Sequence, residues 1–145
     1  MFPITMLLAF VVGVFGLASI NVIHVTSLEA LARIAIGLWF IATAIFVHVI
    51  TREKTLAMIP PSLPFRQQAV TVTGIFEALG GIGLLIPNPT IQMVSSVGLV
   101  LLLIVMFPAN IYVAVKTPSL DHWVRLPFQP LFIIWILWSG AYILH

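Results

Sequence analysis

The sequence predicts an all-α integral membrane protein, a single domain of 145 residues that crosses a bilayer five times. Three observations point there. Hydrophobic residues make up 61% of the chain and charged residues 7%, against about 25% charged in an ordinary soluble domain. Mean hydropathy is +1.21, more apolar surface than a chain this short can hide in its own interior. The apolar residues also run continuously, without the alternation of a β-barrel, and an open sheet could not satisfy its edges in lipid.

A spanning helix needs about 20 mainly apolar residues. The first run, 2–23, carries Pro3 in its first turn, where the missing N–H does no harm. It lacks the basic start of a signal peptide and is long for one, so it is expected to be a true helix. The second covers 27–50, and the capping-box spacing of Thr26 and Glu29 sets its expected start just before Leu28. The third, 68–86, stops at the breaker Pro87, Asn88, Pro89. The fourth, 93–115, contains no charge, and the fifth covers 126–144. Between the second and third lies the longest connection, 51–67, which is rich in Leu, Met, Ile and Pro. It is expected to lie back against the bundle mouth or the lipid interface.

The few charges set the orientation. Arg52, Lys54 and Arg66 follow the second helix, and Lys116 and Arg125 follow the fourth; only Arg33 belongs to the opposite side. By the positive-inside rule the connections 51–67 and 116–125 are cytoplasmic, with the N-terminus inside and the C-terminus outside. The net charge of +2 is scattered over short loops and forms no basic patch, so nucleic acid is not an expected partner. The partner implied by composition is the lipid bilayer. With no cysteine there is no disulfide, dithiol relay or thiolate metal site. Metal-ligand spacing, phosphate loops and dinucleotide fingerprints are missing too, so no metal or nucleotide cofactor is expected.

Glu77 breaks the apolar pattern. It lies roughly 15 Å from either end of the third helix by helical rise, close to the membrane midplane. A charge there costs about 2.5–3.5 kcal/mol on insertion scales, so the carboxyl must be protonated, paired or in contact with water. Gly74, Ala78 and Gly81 share its face, leaving room for another helix or for a ligand. Two readings stand: a buried, hydrogen-bonded acid that serves packing, or a ligand-contacting, proton-handling acid. His48 closes the second helix, Asn110 follows Pro108 in the fourth, and Gln129 opens the fifth. Because these helices alternate in direction, the three are expected to converge on the cytoplasmic side of Glu77, which would form the floor of a pocket. Trp39, deep in the second helix, either lines that cavity or fills the core. Trp135, Trp138 and Tyr142 read as an outer aromatic belt.

In order along the chain, Arg33 to Gly37, His48, Pro60 to Pro64, Gly74 to Gly81, Phe107 to Asn110 and Arg125 to Gln129 resemble the DoxX family. The resemblance spans about residues 33–135. It implies an antiparallel four-helix bundle in a prokaryotic cytoplasmic membrane, here with one added N-terminal helix, and a link to quinone or redox functions. Glu77, Asn110 and Gln129 fall on that family's polar positions. Val49 departs from it, where phenylalanine often follows the histidine, and the missing cysteines exclude the disulfide relay of its relatives.

Three functions follow as expectations. The first is binding of a lipophilic small molecule, quinone or isoprenoid-like, by Trp39, His48, Glu77, Asn110 and Gln129, in the service of a membrane redox system. The second is an intramembrane acid–base enzyme, such as an isomerase, with Glu77 and His48 catalytic. The third is an assembly or accessory subunit, or a homo-oligomer, docking through the small faces at Gly13 and Gly16 or Gly80 and Gly83.

Overall fold

The computed structural model describes residues 10–16, 19 and 27–140. Those residues are helical wherever they are regular, with no strand among them. Of the N-terminal run, residues 10–16 are helical and most of the rest lies outside the described residues, as do Thr26, Tyr142 and the last residues of the fifth run.

Five helices follow: α1 (Leu28–Ile45), α2 (Arg52–Met58), α3 (Arg66–Leu85), α4 (Pro89–Lys116) and α5 (Leu120–Ser139). A π-helical turn, Phe46–Ile50, extends α1. Their starts have local causes. Ser27, not Thr26, caps α1, its hydroxyl accepting from Ala30 N at 3.2 Å. Asn88 caps α4 by accepting from the N–H groups of Thr90 and Ile91, and Pro89 takes the first turn, so the helix begins four residues before the expected 93. Ser119 caps α5, which begins at Leu120 and not at 126, taking in Arg125, Pro127 and Pro130. The connection 51–67 holds the short helix α2, which packs on α3, α4 and the π turn. Arg66 donates to the carbonyl of Leu56, and Arg52 donates to Thr71 Oγ1 at 2.8 Å, pinning the connection to α3.

The helices close into a ring, α1 on α3, α3 on α4, α4 on α5 and α5 back on α1. Short turns at residues 86–88 and 117–119 reverse the chain. The core within the ring is Ile36, Trp39, Phe40, Leu84, Leu99, Leu103 and Ile136. Outside, Val72, Ile75, Phe76, Leu79, Val94, Leu101, Val105 and Ile134 are exposed. An apolar exterior over an interior that holds His48, Glu77, Gln92, Ser96, Gln129 and Ser139 inverts the arrangement of a water-soluble bundle. The helical spans Leu28–Ile50, Arg66–Leu85 and Pro89–Lys116 are long and apolar enough to cross a membrane.

Close approach of α1 and α3 is built on glycine. A Cβ on Gly37 would meet the carbonyl oxygen of Gly81 at 2.9 Å, and one on Gly81 would meet that of Gly37 at 2.7 Å. Neither position has room for a side chain. Polar groups tie the ring elsewhere: Trp135 Nε1 donates to Ala32 O at 3.1 Å, and Arg33 Nη1 to Ser139 O at 2.8 Å.

Candidate functional site

The π turn sets up the site. In an α-helix, at 100° per residue, Thr43 and His48 would point about 140° apart. His48 lies within the wider π turn, which narrows that separation. The carbonyls loosened by the turn are taken up by threonines, Thr51 Oγ1 donating to Phe46 O at 3.0 Å and Thr55 Oγ1 to Val47 O at 2.8 Å. His48 thus enters the α1–α3 interface, where Gly74 gives it space: a Cβ there would lie 2.6 Å from His48 Cγ.

Within that interface His48, Glu77 and Thr43 form one hydrogen-bonded group. His48 and Glu77 are 5% and 8% exposed. Nδ1 of His48 lies 2.8 Å from the carbonyl oxygen of Val70, which can only accept, so Nδ1 carries a hydrogen. Nε2 lies 2.9 Å from Glu77 Oε2. One proton joins those two atoms, as imidazolium with carboxylate or as imidazole with carboxylic acid. Either form leaves the pair neutral overall, which is how an acid can be held at this depth. Glu77 Oε1 meets Thr43 Oγ1 at 2.5 Å, while that hydroxyl also reaches the carbonyls of Trp39 and Phe40 at 3.1 Å. A hydroxyl has one hydrogen, so Thr43 donates either to the carboxyl or back to its own helix.

The side chains of the other residues expected at the site take no part in this hydrogen-bonded group. Trp39 fills the core, its ring stacked on Phe132 and edge-on to Phe10 at centroid distances of 6.2 Å. Asn110 is half-buried on α4, outside the hydrogen-bonded group. Gln129 is buried between α5 and α4, donating from Nε2 to Leu103 O at 3.4 Å. Both carboxyl oxygens of Glu77 are engaged by the side chains of His48 and Thr43. Thr43 escaped the sequence reading because an α-helical register puts it on a different face from His48.

An open cavity lies instead beside Gln129. About 160 Å³ in volume, it is lined by Leu103, Ile104, Phe107, Gln129, Pro130 and Ile133. Gln129 is 7% exposed, and its Oε1 has no hydrogen-bond partner. Exposed Ile104, Phe107 and Pro130 form the rim, so the cavity opens between α4 and α5 onto the apolar exterior. A larger groove of about 400 Å³ runs along the connection before α3, rimmed by exposed Leu63 and Phe65. That one is a surface feature of the loop.

The small faces of α3 are spent inside the chain, with Gly80 against Leu99 and Gly83 against Ser95. Gly13, Gly16 and Gly98 meet nothing within 4 Å among the described residues. No group of three His, Asp or Glu side chains placed to hold a metal occurs among the described residues.

Residues 34–140 match the family described as a domain of unknown function, DUF8561. The chain belongs to that family. The DUF8561 region begins inside α1 and ends just past α5, so it takes in the helical ring with Thr43, His48, Glu77 and Gln129. It leaves out the N-terminal apolar run and Arg33. Comparison with curated proteins and with solved structures found no match.

Proposed function

We propose that this DUF8561 protein is a DoxX-like membrane protein that binds a lipophilic small molecule, quinone or isoprenoid-like, and serves a membrane redox system. The observation that carries the reading is the cavity beside Gln129: an apolar recess with one buried, unpaired polar atom, opening onto the lipid-facing side of α4 and α5. An apolar chamber with a single orienting group suits a head group whose tail remains in the bilayer. In this reading the chain spans five times, with residues 10–16 part of the first helix and α5 the last, and the basic connections lie in the cytoplasm.

The test uses the full chain purified in mild detergent from native membranes, followed by native mass spectrometry and solvent extraction. The expected result is a bound lipophile near one per chain, lost when the rim residue Ile104, 54% exposed, is replaced in Ile104→Trp. An empty wild-type protein, or equal retention by the variant, would refute the reading.

A second reading is favoured by the single proton between His48 and Glu77. Such a pair can give and take a proton on a buried substrate, the role of an intramembrane isomerase. It requires His48 or Thr43 to swing aside, since these two side chains cover the carboxyl. Full turnover of an identified substrate by Glu77→Gln would remove this reading.

A further inference from the structure

Gln129 sets a condition on the occupant. Resting on the lipophile-binding reading above, we propose that the α4–α5 cavity selects a lipophile whose head group donates a hydrogen bond, a phenol, hydroquinone or alcohol, over the same skeleton bearing only acceptors. The orientation of the Gln129 amide is fixed by its surroundings. Turning it over would set Oε1 against the carbonyl oxygen of Leu103, two acceptors face to face, so the nitrogen stays at Leu103 and the oxygen is left without a partner. Pro108 also leaves the carbonyl of Ile104, a lining residue, without its i+4 helical donor. The remaining lining residues, Leu103, Phe107, Pro130 and Ile133, bring no polar side chain. A buried acceptor is satisfied by an O–H or N–H from the ligand and is left orphaned by a carbonyl or an ether.

Size narrows the head group. A cavity of about 160 Å³ is close to the roughly 150 Å³ cavity that accommodates benzene in another protein, so one six-membered ring fits. The tail then leaves past Ile104 and Phe107, which are exposed on the apolar exterior. A hydroxylated ring on an alkyl chain meets both conditions. Its fully oxidised counterpart, with two carbonyls in place of two hydroxyls, meets only the second.

The probes are para-heptylphenol and its methyl ether, which share a skeleton but differ in the donor. Binding of each to the full chain in nanodiscs is measured by competition against a fluorescent lipophile. The phenol is expected to bind about tenfold more tightly, the worth of one well-made hydrogen bond to a buried acceptor. That ratio is expected to fall toward one in Gln129→Met, which keeps the side-chain length and removes the acceptor. Equal binding of both probes to the wild-type protein would overturn the donor requirement while leaving lipophile binding intact. Failure of both to compete would count against the cavity as a ligand site altogether. Because the ratio is read in the wild-type protein, the outcome does not depend on the variant folding.

Discussion

Nε2 of His48 lies 2.9 Å from Oε2 of Glu77, while the other nitrogen of the same ring is committed to the carbonyl of Val70 at 2.8 Å. The carbonyl fixes the hydrogen on Nδ1, so the histidine–glutamate contact is a shared proton within a neutral unit. Glu77→Gln preserves every partner, its amide donating to Nε2 and accepting from Thr43. It is expected to cost about 1 kcal/mol or less, whereas Glu77→Leu orphans a buried ring nitrogen and costs about 1–3 kcal/mol. Thermal unfolding in detergent compares the two. Equal losses would contradict the shared-proton description.

Gly74 is a steric requirement of that contact. A Cβ there would lie 2.7 Å from His48 Cβ, and the far end of no flexible side chain is available to yield. Gly74→Ala is therefore expected to destabilise by about 1–3 kcal/mol. Gly98 on α4 meets nothing within 4 Å, so Gly98→Ala is expected to be neutral or to stabilise by up to about 1 kcal/mol. Unfolding midpoints moving in the same direction and by the same amount would show that packing at His48 is looser than described.

Arg33 closes the ring at its far end. Its Nη1 donates to Ser139 O, one of the last carbonyls of α5, which lack partners within their own helix. Arg33→Met keeps the stem and removes the donor. Faster hydrogen exchange over the last turn of α5, with α3 unchanged, is the expected signature. Unchanged exchange at α5 would mean that the bond contributes nothing to closing the ring.

The absence of cysteine makes the orientation directly measurable, since every introduced thiol is the only one present. Lys54→Cys and Lys116→Cys are expected to react with an impermeant maleimide only from the cytoplasmic side, and Asn88→Cys only from the opposite side. Labelling of all three from one side would break the five-span orientation.

Much of this was legible in the sequence. The apolar runs gave the helices because a spanning element must satisfy its backbone within itself. Glu77 stood out because a carboxyl among Gly74, Phe76 and Leu79 has no solvent to turn to. Helix starts were less legible: Ser27 displaced Thr26 as a cap, and Asn88 and Ser119 lengthened α4 and α5, because capping depends on where the chain turns and not on spacing alone. The pairing of Thr43 with His48 around Glu77 was hidden by the π turn at Phe46–Ile50, which leaves no mark in periodicity. Gln129 was expected beside Glu77 on depth alone. Its actual place follows from the rotation of α5, which an apolar run with few polar residues does not encode.

Photolabelling tests the central claim, that the recess between α4 and α5 is a lipophile site. A diazirine-bearing alkylphenol is reacted with the full chain in nanodiscs and the adducts are mapped by peptide mass spectrometry. The account predicts label concentrated on Leu103, Ile104, Phe107 and Ile133 and displaced by unlabelled para-heptylphenol. Label spread evenly over the exposed apolar exterior, as much on Val105 and Ile134 as on the cavity, and indifferent to competitor, would contradict it.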